Sequence, residues 1–495
     1  MKELLRTTPE SVGLSSVKLL EMLKKLEHCG TEPHGFMLAR HNKVVLECWW
    51  APYTKDTVHI CHSFGKSYVA TGIGAACTDG LLSVEDKIID LFAKEIQELS
   101  VPVTENLKQL RVKHVLAMGN GMSIHAENGE NLVRNYLTTP VDKEPGSVFM
   151  YNTTGSCILG EIVRRVTGKS VLDYLKARVF DKIGLDTGRL HWMAFRNGLH
   201  AAPGVASCTE NNLRLGLLYL NNGLWDGQRV IDEQWITEAT RKQIDNGGDG
   251  YGYQLWMHAL PGVFRFCGGH GQDCVMSRPQ DLAYAIHQAA SEQHDTNAAN
   301  MIFNQYLLEN PLPDSLPEDK QGYAALMEYA LSRRLPDNNS QPVRGFANGW
   351  NGLYNVTDGC FHIHPELRPF GDKNVYKDFY TIEDEYVKTV SLTLREEYVE
   401  ILLNNTTCLH ARLDGKLVPH STQSAMPAYT LECSTAVFEH HQLIVDTWFF
   451  QTCFKTRLWF TKDGEILRVK VRKERLHDSA PYIWYEAELL RTDIM

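Results

Sequence analysis

Leu19, Leu20, Met22, Leu23 and Leu26 follow Gly13-Leu14-Ser15 at helical spacing near the start of the chain. They predict an amphipathic helix capped by Ser15. Gly35–Ala39 and Val44–Trp50 are apolar runs of strand length on either side of the polar turn Arg40–Lys43, a hairpin pattern. From about residue 63 to 240 the periodicity is mostly helical. Strand patterns return at Phe264–Phe266, Cys274–Ser277 and Leu282–His287, with a turn at Arg278-Pro279-Gln280-Asp281, and a helical stretch follows at Thr296–Leu308. Strands at both ends with helices between predict an α+β fold, with one antiparallel sheet assembled from distant segments, flanking helices and a helical lobe. A functional site is expected at the seam between sheet and helices.

Beyond residue 309 the pattern changes. Two stretches rich in Pro and Asp, Asn310–Lys320 and Leu335–Val343, bracket a short linking helix at 321–334, with Leu326, Tyr329 and Ala330 on one face. The expected division is a first domain at 1–335 and a linker at 336–345. A β-rich domain follows at 346–495. In that last part Val387–Arg395, Tyr398–Asn404 and Gln442–Thr452 are strand-like. Asp414-Gly415 and Asp463-Gly464 punctuate hairpins, the second between Arg457–Thr461 and Glu465–Arg472. The expectation is a closed or nearly closed antiparallel, lipocalin-like barrel, with no catalytic constellation of its own.

Composition narrows the function classes. The chain has 495 residues, 43% hydrophobic and 22% charged, with a net charge of −10. That balance fits an ordinary globular protein and offers no basic excess for nucleic acid. No run of 18 apolar residues occurs, so no membrane partner is expected. Met1–Glu10 holds no apolar segment of signal-peptide length, and the 12 cysteines include no C-x-x-C pair. The expectation is a cytoplasmic protein with reduced thiols.

The sharpest chemical feature is Ser63-Phe64-Gly65-Lys66. Residues three apart share a helix face, so the Ser63 hydroxyl and the Lys66 amine can meet. A serine hydroxyl needs an adjacent base to act as a nucleophile, and a desolvated lysine can serve. The spacing alone is weak: Ser15–Lys18 repeats it at a plain helix cap.

The surroundings of Ser63 resemble the serine β-lactamase and penicillin-binding-protein family, including its esterase-type and 6-aminohexanoate-dimer-hydrolase-like members. The run from Ser63, SFGKSYVATGIGAACTDGLLSVEDKIIDLF, is similar to the family's nucleophile helix. So are His114–Met122 (HVLAMGNGM) and Phe149–Gly155 (FMYNTTG), with Ile158–Val163 and Val166–Ser170 continuing the likeness. Gly204–Val230 and Gly250–Trp256 extend it, in order, across roughly residues 8–310. The resemblance implies that Tyr151 is a second catalytic group, relaying protons between Ser63, Lys66 and the leaving group. It implies a reaction needing no cofactor and no metal.

Two departures bear on substrate. Thr153 stands two residues after Tyr151, where many relatives carry Asn, so recognition of a substrate amide differs. Gly268-Gly269-His270-Gly271-Gln272 replaces the family's Lys-Thr-Gly or His-Thr-Gly. The resemblance implies an oxyanion hole from the N–H of Ser63 and one N–H of this strand, at Gln272 or, in a shifted register, at Gly269. His270 either contacts substrate or points to the opposite face. The missing third-motif lysine makes ordinary β-lactamase activity less expected.

The leading expectation is a serine hydrolase acting on a small amide, short peptide or ester. A β-lactamase or D-amino-acid-specific peptidase is one alternative, and a catalytically silent ligand-binding member is another; homo-oligomerisation is left open. Cys61-His62 is set aside as a catalytic pair because adjacent residues rarely face each other. His362-Ile363-His364 and His440-His441 lack further ligands and are taken as structural, and Trp448-Phe449-Phe450 as barrel core.

Overall fold

In the computed structural model the described residues are 3–126, 131–195, 197–290, 293–335, 349–363, 386–421, 431–439, 441–474 and 482–492. The predicted first helix is Ser16–Leu26, and the Ser15 side chain accepts from the Lys18 N–H at its start. Seven strands form the main sheet, in the order Leu5–Arg6, Lys43–Trp49, Glu32–Arg40, Leu282–Ala289, Gln272–Ser277, Val263–Gly268, Trp256–Met257. Its pairings are antiparallel except that Leu5–Arg6 runs parallel to its neighbour. The hairpin from the N-terminal part thus joins strands more than 200 residues later, as the α+β expectation requires.

The stretch expected to be helical, 63–240, also contains two strands, Leu190–Ala194 and His200–Ser207, which join His59–His62 just before it in a second sheet. His59–His62 is only four residues long, and His200–Ser207 is interrupted by Pro203 and Gly204, so neither carries a clear period of two. The helix Gly65–Thr78 starts three residues after His62 and is buried from Gly65 to Ala76. A helix apolar all round belongs in the core, and it packs against Thr153–Thr167.

The C-terminal part is a closed barrel of nine strands. Going round, they are Thr407–Arg412, Tyr398–Leu403, Thr389–Leu394, Gly352–Cys360, Tyr482–Arg491, Ile466–Glu474, Lys455–Asp463, Gln442–Phe449 and Leu431–Glu439. Closure is made by a short parallel pairing, Ala411 with Ser434 and Arg412 with Thr435. Inward positions such as Tyr354, Val390, Ile401, Leu443, Leu458, Phe460 and Leu467 form an apolar core. Asp463-Gly464 makes the expected hairpin. Asp414-Gly415 does not: the chain leaves Thr407–Arg412 there and adds Pro419–Ser421 to the same edge of Leu431–Glu439 on which the barrel closes.

The linking helix is Lys320–Leu331. The expected linker at 336–345 lies outside the described residues, as do His364 and His440. His362 hydrogen-bonds the Tyr485 hydroxyl at 2.8 Å, as a structural histidine should. The aromatic run divides differently from expectation. Phe449 joins the barrel core, but Phe450 turns out of it and stacks on Tyr53, ring centroids 4.3 Å apart. A barrel loop therefore lies on the first sheet. Among the described residues no helix is long and apolar enough to cross a membrane.

Candidate active site

Ser63 sits in the turn between His59–His62 and Gly65–Thr78, half-buried. The chain enters that turn through His62 at φ 50°, a left-handed conformation uncommon outside glycine. Gly65 has no room for a side chain, since a Cβ would come within 2.2 Å of the Ala202 carbonyl oxygen. The helix can therefore start close against the neighbouring strand.

Lys66 is 1% exposed, and its Nζ donates a 2.9 Å hydrogen bond to Ser63 Oγ. The same Nζ lies 4.8 Å from the centroid of the Tyr151 ring. The structure thus brings Ser63, Lys66 and Tyr151 together across 88 residues of chain. Tyr151 is placed by Asn152, whose side chain accepts from the Gly155 N–H and caps the helix Thr153–Thr167. Thr153 occupies the first position of that helix and is 9% exposed. Trp256 stacks on Tyr151 (centroids 5.8 Å apart), and Phe149 and Tyr251 lie against the same indole. Burial, followed by the nearby Tyr151, pushes the Tyr251 phenol well up, which keeps it neutral.

The glycine-rich segment differs from the expected strand. Gly269–Gly271 is a tight turn between Val263–Gly268 and Gln272–Ser277, with Gly268 and Gln272 paired at its neck. Gly268 approaches the Ser63 segment so closely that a Cβ would fall 2.0 Å from the Cys61 carbonyl oxygen. The Gln272 side chain is fully buried, its Nε2 donating to the carbonyls of His270 (3.1 Å) and Gln288 (2.6 Å). Only the backbone of Gln272 is left to face a substrate. The His270 ring packs towards His62 and Phe454 of the barrel loop, with centroids 5.5 and 5.2 Å away.

A contact that sequence reading missed lies beside Ser63. Cys61 does not pair with His62. Its thiol faces Asn212 and His287, and burial pushes it up to about 12. His62 instead faces Cys453 of the barrel, Nε2 to Sγ 3.3 Å. No local pattern could show a pair 391 residues apart.

The family follows from comparison with known proteins. The family model described as Beta-lactamase matches residues 30–302, more than half of the chain, and the chain belongs to that family. The β-lactamase-like fold implied by the motifs therefore holds. The 6-aminohexanoate-dimer hydrolase of Paenarthrobacter ureafaciens is 23% identical over 241 residues, which is 45% of this chain and 60% of that protein. Penicillin-binding protein 4 of Amycolatopsis lactamdurans is 26% identical over 137 residues, 27% of this chain and 36% of that protein. The chain thus matches less than two thirds of the length of either relative. The octameric penicillin-binding protein homologue from Pyrococcus abyssi has 15% identity and a TM-score of 0.46, over 95% of this chain and 99% of that one.

Proposed function

We propose that this protein is a serine hydrolase that cleaves a small amide, short peptide or ester through an acyl-enzyme on Ser63. Ser63 Oγ attacks the carbonyl carbon and its proton passes to Lys66 Nζ. Tyr151 relays a proton to the leaving group as the tetrahedral intermediate collapses. Water then attacks the ester carbonyl, its proton returns through the same groups to Ser63 Oγ, and the free acid leaves. The Ser63 N–H and an N–H of the Gly269–Gln272 segment hold the oxyanion. Each such donor typically contributes about 100- to 1,000-fold in rate.

The observation that carries this reading is the 2.9 Å Lys66–Ser63 hydrogen bond at a lysine buried beside Tyr151. The close approach of Gly268 to the Ser63 segment supports the oxyanion arrangement. Half-buried Trp256 and Phe149 beside Tyr151 offer apolar surface for the acyl portion. The relative named 6-aminohexanoate-dimer hydrolase adds weight to small amides among the substrates.

Intact-mass analysis after treatment with a fluorophosphonate tests the reading. One adduct is expected, at Ser63, and absent in Ser63→Ala. Turnover of a panel of esters and amides that is equal in Ser63→Ala and the native chain would overturn it.

A further inference from the structure

Beside Ser63, three side chains from distant parts of the chain converge. His62, His270 and Cys453 each offer one ligand atom, and the three atoms lie within 4.8 Å of one another. We propose that they form a zinc(II) site where the barrel loop meets the end of His59–His62 and the glycine-rich turn.

The donor set suits that ion. Two imidazoles and one thiolate make a borderline-soft, neutral-to-anionic set that zinc favours over magnesium or calcium. Zn–N of about 2.0 Å and Zn–S of about 2.3 Å put tetrahedral ligand atoms roughly 3.6 Å apart. The 3.3 Å from His62 Nε2 to Cys453 Sγ is close to that edge. Three protein ligands leave the fourth position for water.

The geometry is held from outside the cluster, as metal sites require. His270 Nδ1 donates to the Ala290 carbonyl at 2.8 Å, which fixes the tautomer with the lone pair on Nε2. The His270 carbonyl in turn accepts from Ala290 N and Gln272 Nε2. Cys453 sits in a loop braced by Thr452, whose Oγ1 donates to Phe449 O at 2.8 Å and accepts from Phe454 N at 3.0 Å. That loop is tied to the Ser63 segment by Ile60 N donating to Gln451 O at 2.9 Å. Both histidines are left-handed, at φ 50° and 60°, a strain that surrounding structure must hold and that gathers at functional sites. On binding, the Cys453 S–H bond breaks, the sulfur lone pair forms the Zn–S bond, and the proton leaves to solvent.

Cobalt(II) titration of the full-length protein, after chelator treatment, tests this. One equivalent is expected to give a thiolate-to-cobalt charge-transfer band and intense tetrahedral d–d bands, both displaced by one equivalent of zinc. Binding should weaken by about 100-fold or more in Cys453→Ser and in His270→Gln, and be unchanged in Cys29→Ser. Absence of the band in the native chain, or its survival in both ligand variants, would overturn the site. Circular dichroism checks each fold; if Cys453→Ser unfolds, His270→Gln, at a half-buried turn, decides. None of these readouts uses hydrolysis, so they are separate from the role proposed for Ser63.

Discussion

Lys66 Nζ donates to Ser63 Oγ at 2.9 Å from a side chain that is almost wholly enclosed. On the proposed mechanism, replacing Lys66 by Met keeps the aliphatic packing and removes the proton acceptor. Activity on a p-nitrophenyl ester should fall at least about 10³-fold while the thermal midpoint changes little. A loss of less than tenfold would remove Lys66 from the mechanism.

Gly268 is where the glycine-rich turn meets the Ser63 segment. In Gly268→Ala the added methyl would stand 2.0 Å from the Cys61 carbonyl, so strand or turn must move. Overpacking of this kind costs about 1–3 kcal/mol. Both the thermal midpoint and the rate should drop, because the displaced turn carries the proposed oxyanion donor. A variant with native stability and native rate would show that the turn does not position the reaction.

Three buried histidines set the acid limit. His34 Nδ1 and His59 Nε2 are 2.9 Å apart, the His59 ring stacks on His287, and His287 Nε2 meets Asn212 Nδ2 at 2.8 Å. Burial holds all three below the ordinary histidine value, His287 at about 3 with further repulsion from His34. Between about pH 6.5 and 3 the unfolded chain binds more protons than the folded one. Their contribution is therefore intact above about 6.5 and declines on acidification by about 1.4 kcal/mol per pH unit per proton. Glu32 acts in the same direction: burial raises it, but Lys455 and His34 outweigh that and hold it at about 2. Denaturant melts from pH 4 to 8 should show His287→Gln with a shallower acid slope than the native chain. Parallel slopes would refute the assignment.

Glu432 in the barrel titrates with the opposite sign. Burial raises it to about 7, against the lowering effect of its bonds from Ser434 and the His410 N–H. The folded state binds this proton more tightly. Its contribution is full below about pH 4.5 and is lost as pH rises to about 7, at about 1.4 kcal/mol per unit. Glu432→Gln should accordingly raise the thermal midpoint at pH 8 and leave it near native at pH 4. Destabilisation at pH 8 as large as at pH 4 would overturn the assignment.

Local patterns were legible where side chains follow one period. Leu19 to Leu26, the Gly35–Trp50 hairpin and Ser63 with Lys66 all depend on neighbours within four residues, and the structure shows each. The barrel was legible from its alternation and from Asp463-Gly464. What stayed hidden depends on partners far along the chain. His200–Ser207 is too rich in small residues to show alternation, Gly269–Gly271 bends where a strand was expected, and Asp414-Gly415 serves a crossover instead of a hairpin. Phe450 reads as one more barrel aromatic until Tyr53, nearly 400 residues earlier, is brought beneath it.

The pairing of His62 with Cys453 also sets an order of assembly. Ser63 and Lys66 lie within one turn of chain, but the loop that packs beside His62 is made 391 residues later. At the usual 5–20 residues per second, synthesis takes about 20–80 s to cross that gap. Throughout that interval His62, the residue next to Ser63, stands without its partner from the barrel.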